Sequence, residues 1–142
     1  MNKGGLIVRK WLLPLASIFV FILMGCSGNE KEEEVGKLTR VDVFKMNEEE
    51  MIIADQETID VLNKAFEQIK WEHNVKAEMS RKEDVKVVLF MEVDKNMPES
   101  LVEYFIWFEG NGTAIIMNRN ENSLAKLEEK STNILKNNFN FE

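Results

Sequence analysis

The chain has 142 residues, with 18 Lys and Arg against 25 Asp and Glu and a formal charge of -7. That acidic balance disfavours nucleic acid and anionic lipid headgroups as partners, because both are met by a cationic surface that releases counterions. Cys26 is the single cysteine, so no intramolecular disulfide can form and stability has to come from packing.

Lys3, Arg9 and Lys10 precede an uncharged apolar run from Trp11 to Met24, and Leu23-Met24-Gly25 stands directly before Cys26. A positive start, an apolar centre and a small residue at the cut define a secretory leader. An aliphatic residue three before a cysteine and a glycine next to it form the pattern of a lipobox, in which Met24 is bulkier than usual. Residues 1–25 are therefore read as a lipoprotein signal peptide and Cys26 as the acylated N-terminus. The alternative is an uncleaved signal anchor, since Leu12 to Leu23 could start a spanning helix, although the apolar run is shorter than the ~20 residues such a helix needs. A thioether-linked diacylglyceryl group brings two acyl chains, and two anchoring signals give stable rather than reversible membrane residence. The expected address is the cell membrane, lipid-anchored, on its extracytoplasmic face, with membrane lipid as the first partner. Cleavage removes three basic residues and no acidic one, which deepens the negative balance of the mature protein.

Residues 26–37 carry the cysteine and then an acidic tether, Ser-Gly-Asn-Glu-Lys-Glu-Glu-Glu-Val-Gly-Lys, which is too polar to bury and is expected to stay solvated. Residues 38–142 have the size of one compact α+β domain. Thr39, Val41 and Val43 alternate with Arg40, Asp42 and Phe44 and predict a strand with one buried face; Met51 to Ala54 predicts its hairpin partner. Asp55 then stands as N-cap to a helix in which Ile59, Leu62, Ala65, Phe66 and Ile69 recur at helical spacing. A polar stretch from Glu72 to Asp84 leads to a strand over Val85 to Val93. Leu101 to Glu109 is a further strand, turned back at Gly110-Asn111-Gly112 into Thr113 to Asn118. The terminal segment fits one long helix or a short strand followed by a helix from about Glu128, and the second is preferred. Hairpin-linked strands with inserted helices predict an antiparallel sheet of about five or six strands, with an amphipathic helix after strand 2 and a C-terminal helix.

Chemistry-bearing motifs are sparse. His73 is the one histidine, in a polar linker without partners of matching spacing. Ser80, Ser100, Ser123 and Ser131 lack a nucleophile-elbow context. No glycine-rich phosphate loop occurs. Asp94-Lys95-Asn96 resembles the start of a calcium loop but lacks the bending glycine and the distal glutamate. Neither a catalytic residue, a metal ligand set nor a cofactor is assigned. Alternation places Tyr104, Ile106 and Phe108 on one face of their strand and Phe105 and Trp107 on the other. With Phe90, Phe105 and Trp107 form a candidate binding face if helices cover only the first side, since aromatic residues dominate interface hot spots.

The lipobox leader, the acidic tether, the helix ending Ala65-Phe66 to Lys70-Trp71-Glu72, and the later run Tyr104-Phe105-Ile106-Trp107-Phe108 with Gly112-Thr113-Ala114 and a Leu-rich terminal helix resemble the YhfM-like small lipoproteins of Gram-positive bacteria. The resemblance implies address and fold and carries no catalytic residue. The function expected is a membrane-anchored extracytoplasmic lipoprotein with a small non-enzymatic domain that contacts an envelope protein or component. A small-ligand or metal-binding accessory domain using Asp94 to Ser100 and Asn118 to Asn122 is the alternative, and an envelope hydrolase has the least support. Cys26→Ser should abolish acylation and cleavage; an unchanged processed mass and unchanged partition with lipid in mass spectrometry and fractionation would refute the lipobox.

Overall fold

The computed structural model describes residues 36–142; the leader, Cys26 and the tether as far as residue 35 lie outside the described residues. Six strands and two helices follow the order β1 (Lys37–Lys45), β2 (Met51–Ile53), α1 (Gln56–Glu67), β3 (Val85–Glu92), β4 (Ser100–Phe108), β5 (Ala114–Asn118), β6 (Ser123–Leu127) and α2 (Glu129–Asn138). The strands form one antiparallel sheet in the order β2-β1-β3-β4-β5-β6. This is the expected α+β layer, including the helix after the second strand and the strand-then-helix ending. None of the helices among the described residues is long and apolar enough to cross a membrane.

Helix α1 forms where it does because Asp55 accepts a hydrogen bond from the Thr58 backbone N–H at 2.9 Å, filling one of the open donors of the first turn. That bonding to Thr58 holds the Asp55 carboxyl below its usual range. Ile59, Leu62, Ala65 and Phe66 then fall on one stripe and are buried. With Leu135 of α2 and Phe139 just beyond it, they roof the inner sheet face, made of Val41, Val43, Val85, Val87, Leu89, Ile106, Phe108, Ala114, Ile116 and Leu127. Tyr104 belongs to this face, packed on Phe66 at 5.6 Å and Trp71 at 5.1 Å between ring centroids. Loss of hydration pushes its phenol up to about 12, assisted by the negative charge of Glu121.

Strand β1 departs from simple alternation. The register pairs Leu38 with Met91 but Arg40 with Phe90, so Thr39 is the extra residue of a bulge. The bulge shifts the phase by one, placing Leu38 on the inner face with Val41 and leaving Thr39, expected as a buried position, half exposed. Its hydroxyl lies 3.1 Å from Phe90 O and also meets the Glu99 carboxylate. At the β4-β5 hairpin only Gly112 needs glycine's freedom, at φ 83. Asn111 Oδ1 accepts from the Thr113 N–H and hydroxyl.

Among the described residues, no helix packs on the outer face. Residues 71–84 cross half of it as an extended strap. At its start, Glu72 exchanges backbone hydrogen bonds with Leu124 at 2.8 and 3.0 Å, and the Val75 N–H donates to Asn122 O at 2.9 Å. At its end, Asp84 accepts from the Phe108 N–H at 2.7 Å, while Arg81 donates to both Asp84 and Phe108 O. Between these ties Ala77 and Met79 pack on a second core of Phe105, Trp107 and Met117, flanked by Ile115 and Leu124. Trp107 is 0 % exposed, and its indole N–H donates to Arg81 O at 3.0 Å. Trp107→Ala should therefore lower stability by about 3 to 5 kcal/mol, the range of large-to-small core changes; a urea titration showing less than about 1 kcal/mol would mean the strap contributes no packed core.

Candidate functional site

The expected binding face is corrected by this packing. Phe105 and Trp107 do face away from the helices, as alternation requires, but they are 8 % and 0 % exposed because the strap covers them. Phe90 is half-buried, outside the strap. The three residues thus do not form one surface: two belong to a second core, and one lies in the open part of the outer face.

That open part spans β2, β1, β3 and the first half of β4, and cross-strand register defines its rows. One row runs Arg40, Phe90, Leu101, and the next Ile52, Asp42, Val88, Glu103. A third, Phe44 and Lys86, continues into Phe105 under the strap. Residues directly opposite in an antiparallel pair share a face and lie close enough to interact. The result is a surface in which cations lie over aromatic rings. The Arg40 guanidinium sits 4.5 Å from the Phe90 ring centre, Lys86 Nζ 4.7 Å from Phe44, and Arg119 at the strap margin 3.9 Å from Phe105. Leu101 and Ile52 remain 56 % exposed at the margins.

Asp42 is the unusual member. A carboxylate in the middle of a sheet face loses hydration, and its side chain is 6 % exposed. Both of its oxygens accept from Arg40, from Nε and Nη2, at 2.6 Å each. The planar fork that matches a carboxylate with two parallel bonds is a property of arginine and not of lysine. Bonding to Asp42 in turn raises the Arg40 guanidinium above its ordinary value. Arg40 therefore satisfies a buried anion and shields an aromatic ring at once. Lys86 pairs with Glu103 at 3.5 Å, so the open face has balanced charge within an acidic chain.

Folding also brings together a pair that spacing did not reveal. His73 Nδ1 and Ser123 Oγ lie 2.8 Å apart, fifty residues distant in sequence. The pair resembles a base and nucleophile, but Ser123 is 1 % exposed, and its hydroxyl lies 3.3 Å from Glu121 O. A nucleophile has to reach its substrate. Here the contact fastens the start of the strap to β6. Between the strap and the sheet is an open depression of about 660 Å³, lined by Met79, Arg81, Lys82, Met117 and Arg119 among others.

The two oxygen-rich loops hold their donors inward. Asp94 Oδ1 accepts from the Asn96 backbone N–H at 2.8 Å, and Asn118 Oδ1 accepts from the N–H groups of Asn120 and Glu121 at 3.1 and 3.3 Å. Among the described residues, no three His, Cys, Asp or Glu side chains are grouped so that they could hold a metal ion.

Residues 31–142 match the family described as YhfM protein, and the chain belongs to that family. No curated protein sequence matches the chain. Among solved structures, the chain is similar to a thioesterase-like protein from Clostridium sporogenes ATCC 15579, with 22% identity, a TM-score of 0.52, and coverage of 75% of this chain and 97% of that one. At that identity the likeness concerns the fold alone.

Replacing Arg40 with Ala should leave Asp42 buried and unpaired, which is costlier than removing the pair altogether. We expect a clear drop in the urea midpoint for Arg40→Ala and substantial recovery when Asp42→Asn is added. Equal midpoints for the single and double variants, followed by circular dichroism, would show that Asp42 is solvated instead.

Proposed function

We propose that this member of the YhfM family is a lipoprotein held on the extracytoplasmic face of the cell membrane through acylated Cys26, and that its folded module is a non-enzymatic binding domain for an envelope protein. The observation that carries the address is the junction Leu23-Met24-Gly25-Cys26 behind a basic and then apolar leader. Binding rather than catalysis is favoured by where the polar groups stand. Ser123 is enclosed, the oxygens of the two loops serve their own turns, and Asp42 is fully engaged by Arg40.

The open half of the outer face is the binding surface in this reading. Its paired charges of both signs, Arg40 with Asp42 and Lys86 with Glu103, suit the mixed-charge rim of a protein partner, and the apolar Ile52 supplies contact area beside them. Nucleic acid, a uniform anion, fits neither this surface nor the acidic chain.

A photo-crosslinker placed at Ile52 in the intact lipoprotein, in its own membrane, should yield one defined protein adduct. The adduct should fall several-fold when Lys86 and Glu103 are both charge-reversed, and the same crosslinker at Val61, exposed on α1, should not give it. Adducts of identical pattern from Ile52 and Val61 would rule out the open face as a specific surface.

A further inference from the structure

The outer end of the β3-β4 hairpin carries three of the six large hydrophobic side chains exposed among the described residues: Val93 at 47 %, Met97 at 68 % and Leu101 at 56 %. Val93 and Met97 lie on a structured loop, and Leu101 stands beside it at the start of β4. The Asn96 N–H donates to Asp94 Oδ1 at 2.8 Å and the Met97 N–H to Asp94 O at 3.0 Å, while Glu99 is joined to the Thr39 hydroxyl. The turn therefore holds Met97 at its tip; burying it elsewhere would break these bonds.

The chain enters the domain at this same pole. Lys37 pairs with Glu92, and Gly36 runs so close to the end of β3 that a Cβ on it would stand 3.0 Å from Val93 Cγ2. About ten residues separate Cys26 from Gly36, and even fully extended they reach no more than about 36 Å, at up to ~3.6 Å per residue. An acylated Cys26 thus keeps this end of the domain within about one domain diameter of the bilayer, while the Gly110 to Gly112 turn lies at the other end of β4.

We propose that the 93–101 hairpin end is a membrane-contact surface, with Met97 and its apolar neighbours dipping into the headgroup and acyl boundary so that the domain is oriented rather than freely swinging. The inference rests on the lipid anchor at Cys26. Shallow insertion of a few apolar side chains is weak alone, but the anchor holds the loop at high effective concentration beside lipid, which makes a weak second contact sufficient. Lys37 and Lys95 flank the apolar tip and can extend toward headgroup phosphates. Glu92, Asp94 and Glu99 stand at the same end, so a zwitterionic surface is matched better than a strongly anionic one.

The test uses the full lipoprotein reconstituted into phosphatidylcholine vesicles. Acylation consumes the sulfur of Cys26, so Met97→Cys supplies the only free thiol for a fluorescent label, and Asn111→Cys supplies the matching label at the opposite end. Iodide in the water should quench the label at 97 several-fold less than that at 111, and spin-labelled lipid should quench 97 selectively. Equal quenching at both positions, on protein whose intact mass shows Cys26 diacylated, would overturn the membrane contact and leave the anchor standing. A mass showing Cys26 unmodified would overturn both.

Discussion

The whole arrangement depends on roofing a sheet that is apolar over its inner face and over half of its outer one. Phe105 and Trp107 point away from the helices, and bare in water they would form an aggregation-prone surface beside Met117. Residues 71–84 resolve this without a helix. The strap is tied at one end through Glu72 and at the other through Arg81 and Asp84, and Trp107 is both its main packing surface and a hydrogen-bond donor to it. Since those ties reach β4 and β6 and the strap packs on Met117 of β5 between them, the outer face is divided into a closed half and an open one.

On the open half, the protein supplies its own cover from side chains. Arg40 and Lys86 lie over aromatic rings and each is also paired with a carboxylate, Asp42 and Glu103; at the strap margin Arg119 does the same over Phe105, 3.9 Å from Glu83. This cover differs from a buried core in an essential way. A strap held by backbone hydrogen bonds is fixed, whereas surface cations exchange partners at little cost because exposed ion pairs are worth only ~0–1 kcal/mol. Asp42 with Arg40 is the exception, since both carboxylate oxygens are engaged away from water.

The placement of chemistry along the long axis of β4 gives the two proposed surfaces different partners. Apolar side chains collect near residue 36, where the chain joins the domain, while the charged rows lie on the flank of the sheet. A domain oriented by its hairpin end would present that flank laterally, toward proteins standing beside it on the same membrane. The acidic character of the chain acts in the same sense, since it opposes flat adhesion to an anionic surface.

Local pattern was enough for the strands and helices. Period-two alternation, the helical stripe from Ile59 to Phe66, the cap at Asp55 and the turn at Gly112 are each properties of a few neighbouring residues, so they could be read from the chain directly. Three features could not. The bulge at Thr39 moves Leu38 to the inner face, which alternation cannot signal because the bulge breaks the period it relies on. The burial of Phe105 and Trp107 depends on a polar segment more than twenty residues earlier, and the His73–Ser123 contact spans fifty. A sequence tells which side chains share a face; what lies over that face is decided by non-local contacts, because burial belongs to the assembled layers and not to the strand itself.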